Sequence, residues 1–125
     1  MPIVQITDGS SFEILAWGTR DKCRTLEFLT ELEHRDRNEF EKMMSLLDWT
    51  ANHGPPKNRE KFRNLGDEIY EFKTTRIRLL CFFQPGRLIV CTHGVAKPKK
   101  RELTKEKKVA VSIRGEYLKE MEGTR

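Results

Sequence analysis

Cations alternate with apolar residues in the C-terminal half of the chain, and these cations are the side chains best suited to chemistry. Lys73, Arg76 and Arg78 lie in or beside strand-like runs, and His93 falls near the end of the next run. Alternation in a strand sends neighbouring side chains to opposite faces, so one small sheet can turn apolar residues to a core and cations to a polyanion. This pattern is typical of a nucleic-acid site that needs no metal ion.

A basic segment follows this histidine and contains Lys97, Lys99 and Lys100. Each candidate also has a purely structural interpretation. Cations at a sheet edge protect it from aggregation, a strand histidine can be hydrogen-bonded into the core, and clustered lysines can form a solvated loop. Glu71 is predicted to face solvent, with the orientation of a lysine as the alternative. Trp17, Trp49 and Tyr70 are predicted to belong to the core rather than to stack on bases.

Three β-type runs must position these cations. Strands are predicted over 69–73, 76–84 and 87–97, with Pro85 and Gly86 forming the turn between the last two, because proline fixes φ and glycine tolerates positive φ. Short connections of this kind favour an antiparallel meander. Its geometry would bring the cations to one edge of the sheet.

Two helices are predicted before these strands and one after them. Apolar residues recur every three residues from Cys23 to Leu32, Asp36 and Glu39 form a capping-box pattern at the start of a second helix, and the segment Gly54 to Pro56 ends that helix. A hairpin of 3–6 and 12–17 would precede them. Residues 55–67 are predicted to form a loop, and Thr104 is predicted to cap a closing helix.

The predicted fold is therefore α+β: a small antiparallel β-sheet packed against N-terminal helices, with a C-terminal helix, in a single domain of residues 1–125. The three cysteines lack the spacing of a zinc site or a disulfide framework, so neither a metal nor another cofactor is expected. No apolar run is long enough to cross a bilayer and the first residues do not resemble a secretion signal, so a cytoplasmic protein without membrane contact is expected.

Charge is divided unevenly along the 125 residues. Residues 1–54 contain 6 Lys/Arg and 10 Asp/Glu, and residues 55–125 contain 18 and 9, so the two parts carry −4 and +9 and sum to the net charge of +5. A basic surface of this kind favours a nucleic-acid, ribosomal or acidic-protein partner.

Four segments together resemble a known family: LGDEIYEFK, RIRLLCFF, GRLIVCTHGVAKPKK and the terminal helix that ends in EYL. Their order and spacing are similar to those of the HigB-like, phage-derived branch of the RelE/ParE toxin superfamily, over about residues 12–118. The sequence departs from the family pattern at Cys91-Thr92, where Leu-Leu is usual, and at Val95-Ala96, which replaces an aromatic residue.

This resemblance implies the RelE-like fold of a toxin that cleaves mRNA on the translating ribosome and is silenced by a cognate antitoxin, a helix-turn-helix protein of the HigA kind. It assigns Lys73 to general base or phosphate contact, Arg76 and Arg78 to phosphate clamping, and His93 to proton exchange. The three lysines of the basic segment, Lys97, Lys99 and Lys100, are predicted to contact the RNA backbone.

Two other functions stay open at this point. One is a non-enzymatic toxin of the ParE kind that binds DNA gyrase and cuts nothing. The other is an inactive relative that only binds RNA. The cation and histidine set favours the nuclease, because ParE-like proteins are expected to lack the full set.

Overall fold

Nine elements make up the computed structural model, which describes residues 2–123. In chain order they are β1 (Ile3–Asp8), β2 (Glu13–Trp17), α1 (Arg24–Arg35), α2 (Arg37–His53), β3 (Phe62–Gly66), β4 (Ile69–Lys73), β5 (Ile77–Gln84), β6 (Leu88–Ala96) and α3 (Lys100–Gly123). The predicted α+β class is confirmed. Within the described residues no helix is long and apolar enough to cross a membrane.

The strands form one six-stranded sheet in the order β1-β2-β6-β5-β4-β3. The predicted meander of β4, β5 and β6 is antiparallel throughout, and the predicted N-terminal hairpin of β1 and β2 is present. This hairpin joins the meander through a parallel pairing of β2 with β6, so the sheet is mixed. Strands β5 and β6 consequently lie at its centre.

Helices cover both faces of the sheet, which explains why β5 is apolar at successive positions. Leu79 and Cys81 belong to the core cluster that includes the buried residues of α1 and α2. Leu80 and Phe82 belong to the opposite cluster, with Ala110 and Tyr117 of α3. Both faces are thus buried, and most of the candidate cations lie at the end of the sheet that carries the β4–β5 turn.

Two predictions about element bounds were wrong. Residues 62–66, predicted as part of a loop, form the edge strand β3, in which Phe62 stacks on Tyr70 with ring centroids 5.4 Å apart. Its polar residues Arg63 and Asn64 are consecutive, so the alternation of apolar and polar residues that marks a strand is interrupted. Helix α3 begins at Lys100, so Thr104 is inside it and donates a hydrogen bond to the carbonyl of Lys100 at 3.2 Å.

The start of α2 fixes the β4–β5 turn. Asp36 caps the helix as predicted, accepting from the amide of Glu39. The carboxylate of Glu39 instead accepts from the amide of Arg76 at 2.7 Å and the hydroxyl of Thr74 at 2.9 Å. Burial raises the pKa of Glu39, but these hydrogen bonds and Lys42 outweigh it, so the pKa lies below its usual value. The turn is thus tied to α2 by a buried carboxylate.

Candidate nucleic-acid interface

An open cleft of about 1090 Å³ lies between α2, the segment 56–61 and the β4–β5 turn. Its charged lining residues are Lys42, Lys57, Lys61, Lys73 and Arg78, with Glu41 and Glu60. Five cations against two carboxylates leave this lining with a net charge of +3. A positively charged cleft with an open mouth suits a single-stranded polyanion.

Lys73 is the last residue of β4 and is the direct cross-strand partner of Arg78. Burial lowers the pKa of Lys73, and the charges of Arg63 and Arg78 lower it further, whereas Glu71 and Glu60 partly oppose them. Among the described residues Lys73 forms no ion pair with a carboxylate; its amine lies 3.5 Å from the carbonyl of Arg59. A larger fraction of this amine is therefore neutral near pH 7 than in an isolated lysine.

Glu71 lies at the centre of a network of arginines. Its side chain is fully buried, and its Oε2 accepts from Nε and Nη2 of Arg63 at 2.8 and 2.7 Å. Its Oε1 lies 3.6 Å from Nε of Arg78. The prediction that Glu71 faces solvent was wrong, because β3 places Arg63 directly opposite it. Lys73, Arg63 and Arg78 with this one carboxylate sum to a local charge of +2.

The backbone of the turn also holds Arg78. Its Nη1 donates to the carbonyls of Thr74 and Ile77 at 2.9 and 3.1 Å. Since Nε faces Glu71, Nη2 is the nitrogen that these contacts leave for a phosphate oxygen. The guanidinium is fixed before any ligand arrives, which reduces the entropy lost on binding.

Arg76 lies apart from this cluster. It precedes β5 rather than belonging to it, and its guanidinium is 3.6 Å from the carboxylate of Asp36 at the start of α2. The structure therefore brings together Lys73 and Arg78 and directs Arg76 elsewhere.

His93 is 6% exposed and is directed into the interior of the fold. An irregularity in the β5–β6 pairing leaves Thr92 without a cross-strand partner, so His93 and Leu80 are paired on the α3 face. There its Nε2 donates to Glu106 at 2.9 Å, and Nδ1 lies 3.0 Å from the hydroxyl of Thr92. Burial lowers the pKa of His93, although Glu106 acts in the opposite direction. This position corresponds to the core interpretation, and His93 does not line the cleft.

The position after His93 is occupied by Gly94, and close packing of α1 requires a glycine there. A Cβ atom at this position would collide with the ring of Phe28 from α1. Glycine therefore allows α1 to pack closely on β6.

Lys97, Lys99 and Lys100 are exposed at the same end of the sheet as the cleft. The amide of Lys97 donates to the carbonyl of Arg76 at 2.6 Å, which joins this segment to the β4–β5 turn. Lys100 is the first residue of α3 rather than part of a loop. The three lysines lie outside the cleft lining, so they can extend its positive charge to a neighbouring surface.

Trp49 lines the cleft, contrary to the prediction that it belongs to the core. It is 47% exposed, and its ring stacks on His53 with centroids 4.7 Å apart. The buried face of α2 contains Met43, Leu47 and Ala51, and Trp49 lies off this face. The helical position of the residue, rather than its hydrophobicity, was the signal that could have revealed this.

Within residues 2–123 no group of three or more His, Cys, Asp or Glu side chains is arranged to hold a metal ion.

A search of curated proteins finds no match to the chain. A family model described as "Phage derived protein Gp49-like (DUF891)" matches residues 27–114, which is 88 of the 125 residues. The match includes α2, the cleft and most of α3, and on this evidence the chain belongs to the phage-derived Gp49-like family, which is RelE-like and toxin-like in general.

Proposed function

We propose that this protein is the toxin of a type II toxin-antitoxin pair and cleaves mRNA on the ribosome. The observation that supports this most strongly is Lys73, an amine with a lowered pKa, directly opposite Arg78 in a cationic cleft. The Gp49-like family is consistent with a toxin.

The proposed reaction is an internal transesterification. The neutral amine of Lys73 takes the proton of a ribose 2′-hydroxyl, O2′ attacks the adjacent phosphorus, and the bond from phosphorus to O5′ breaks. The products are a 2′,3′-cyclic phosphate and a 5′-hydroxyl. We assign the proton for O5′ to Lys61, which lines the same cleft and whose backbone carbonyl accepts from the amide of Lys73 at 2.8 Å.

Arg78 stabilises the charge that develops on the non-bridging oxygens. Its guanidinium is held by the turn and by Glu71, so the donor is oriented before the reaction begins. Arg63 and Glu71 act as positioning residues in this scheme, because their ion pair fixes the surroundings of Arg78. Arg76 and His93 have no assigned contact with RNA in this scheme.

The exposed lysines of the basic segment, Lys97, Lys99 and Lys100, would contact the ribosomal or messenger RNA backbone beside the cleft. The natural inhibitor would be a cognate antitoxin of the helix-turn-helix, HigA-like kind. A ribosome-dependent activity would place the protein in the cytoplasm.

Primer extension on transcripts after induction of the protein, with and without active translation, tests this proposal. We expect discrete cuts inside open reading frames that disappear when translation is blocked. Intact transcripts together with arrested DNA replication would contradict the nuclease and favour a gyrase-binding toxin. Cuts that persist without translation would contradict the dependence on the ribosome.

A further inference from the structure

The far end of the cleft from Lys73 carries an exposed indole. Trp49 is on the same side of α2 as Lys42, and both line the cleft. Trp49 lies seven positions after Lys42, which is about 10 Å along the helix. Lys42 lies next to the β4–β5 turn, with its amine 3.5 Å from the hydroxyl of Thr75. Trp49 is therefore about 10 Å along α2 from the lysine that contacts the β4–β5 turn.

We propose that Trp49 is a stacking platform for one nucleobase of single-stranded RNA whose phosphates lie along the cations of the cleft. This inference rests on the proposed function and deepens it, because it names the form of RNA that the site takes. A separation of about 10 Å corresponds to about three stacked nucleotides at 3.4 Å each. The platform would hold a base near the cleaved bond and align the strand with Lys73.

The geometry of the indole supports a base as its ligand. His53 covers part of the ring at an interplanar angle of 26° and does not itself line the cleft. Trp49 is still 47% exposed beside this contact, so part of its ring surface is open to a ligand. An aromatic face of this kind stacks on every base, because every base has a π-face.

The charge of the surrounding wall favours RNA over a protein segment. Lys57 and Lys61 of the segment 56–61 lie across the cleft from α2, and the lining as a whole carries +3. Phosphates that follow this wall would place their bases against the opposite side, where Trp49 lies. A duplex would keep its bases paired and could not present one to the ring, so the proposal requires a single strand.

The test compares two fluorescent oligonucleotide probes, each ten nucleotides long, in a binding titration with the whole chain. One is a 2′-O-methyl RNA of mixed sequence, which cannot be cleaved through its 2′-oxygen, and the other is an abasic oligomer with the same phosphates. We expect Trp49→Ala to weaken binding of the first probe by about 5-fold to 100-fold and to leave binding of the abasic probe unchanged. Trp49→Phe should retain part of the affinity, because it keeps a smaller ring.

Two further variants make the result specific. Lys61→Ala should weaken binding of both probes to the same extent, since it removes a phosphate contact. Val111→Ala, at the other large hydrophobic residue that is exposed among the described residues, should change neither.

Equal affinity of Trp49→Ala and the wild-type chain for the first probe would overturn the inference, and the ring would then be free to serve a protein partner. An equal loss of affinity of Trp49→Ala for both probes would also overturn it, as would a wild-type chain that does not bind the first probe. The assay requires no cleavage. A chain that binds through Trp49 but leaves mRNA intact would refute the proposed nuclease and keep this inference, whereas cleavage without an effect of Trp49 would do the reverse.

Discussion

Lys73 and Arg78 are the last pair of residues in the ladder that joins β4 to β5, and they lie directly opposite each other. Their proximity has two effects on chemistry. The guanidinium supplies a donor for phosphate, and its charge adds to the burial that lowers the pKa of the neighbouring amine. One cross-strand pair can therefore provide both a base and an electrostatic stabiliser.

Arg78→Ala should raise the pKa of Lys73, because it removes one of the positive charges that lower it. The measurement is an NMR titration of ¹³C-methylated lysines, with the Lys73 signal assigned by its loss in Lys73→Arg. Arg76→Ala is the matched control, since its guanidinium pairs with Asp36 and it should leave the Lys73 midpoint in place. A midpoint that moves equally in both variants would show that the pairing across β4 and β5 has no special effect.

Glu71→Gln should lower the pKa of Lys73 further, because the carboxylate raises it. It should also destabilise the fold by about 2 kcal/mol, since two guanidinium groups would lose a buried charged acceptor. Denaturant titration measures the stability, and the lysine NMR signal measures the pKa.

Glu31→Gln is the matched control for stability. It removes a carboxylate from an exposed pair with Arg35, and exposed pairs contribute less than about 1 kcal/mol. If the two substitutions cost the same, the buried network around Glu71 would not organise this end of the sheet.

Parts of this arrangement are predictable from the sequence and parts are not. The strands β4, β5 and β6 follow from three short β-type runs and from the turn at Pro85 and Gly86. The φ of Gly86, 88°, is the positive value expected of glycine there. An antiparallel meander with a short turn also brings Lys73 and Arg78 to the same end of the sheet. These features depend on local residues, which the sequence shows directly.

The features that the sequence did not predict depend on contacts between distant segments. Burial of Glu71 requires Arg63 from an edge strand whose polar residues resemble a loop. The direction of His93 depends on one irregular residue, Thr92, which reverses the face expected from simple alternation. Exposure of Trp49 depends on which face of α2 meets the sheet.

The environment of His93 predicts a loss of stability in acid. Its pKa is lowered in the folded state, so the unfolded chain binds a proton first as the pH falls below about 6.5. Stability should be complete above that pH and decrease below it. Denaturation midpoints at pH 7.5 and pH 5 should differ less in His93→Gln than in the wild-type chain.

His34→Gln is the control for that comparison, because His34 is exposed on α1 and should leave the difference unchanged. A wild-type chain that gains stability between pH 7.5 and pH 5 through His93 would instead mean that the ion pair with Glu106 dominates over burial.

Replacing Lys97, Lys99 and Lys100 together by Gln should weaken RNA binding mainly at low salt. Each lysine that neutralises a phosphate contributes about 0.7 to the slope of log affinity against log salt for a single strand, so the slope should fall by about 2. The measurement is a titration of the mixed-sequence probe at several salt concentrations. The melting temperature should not fall, because these cations oppose the dipole at the start of α3. An unchanged slope would identify the segment as a solvated surface.

The most direct test of the account is the rate of mRNA cleavage by purified wild-type, Lys73→Ala and Lys119→Ala chains on translating ribosomes. We predict that Lys73→Ala slows cleavage by at least about 100-fold with an unchanged melting temperature, because it removes the base. Lys119→Ala, which removes an exposed lysine near the end of α3, should cleave at the wild-type rate. Wild-type cleavage by a folded Lys73→Ala chain would contradict the account.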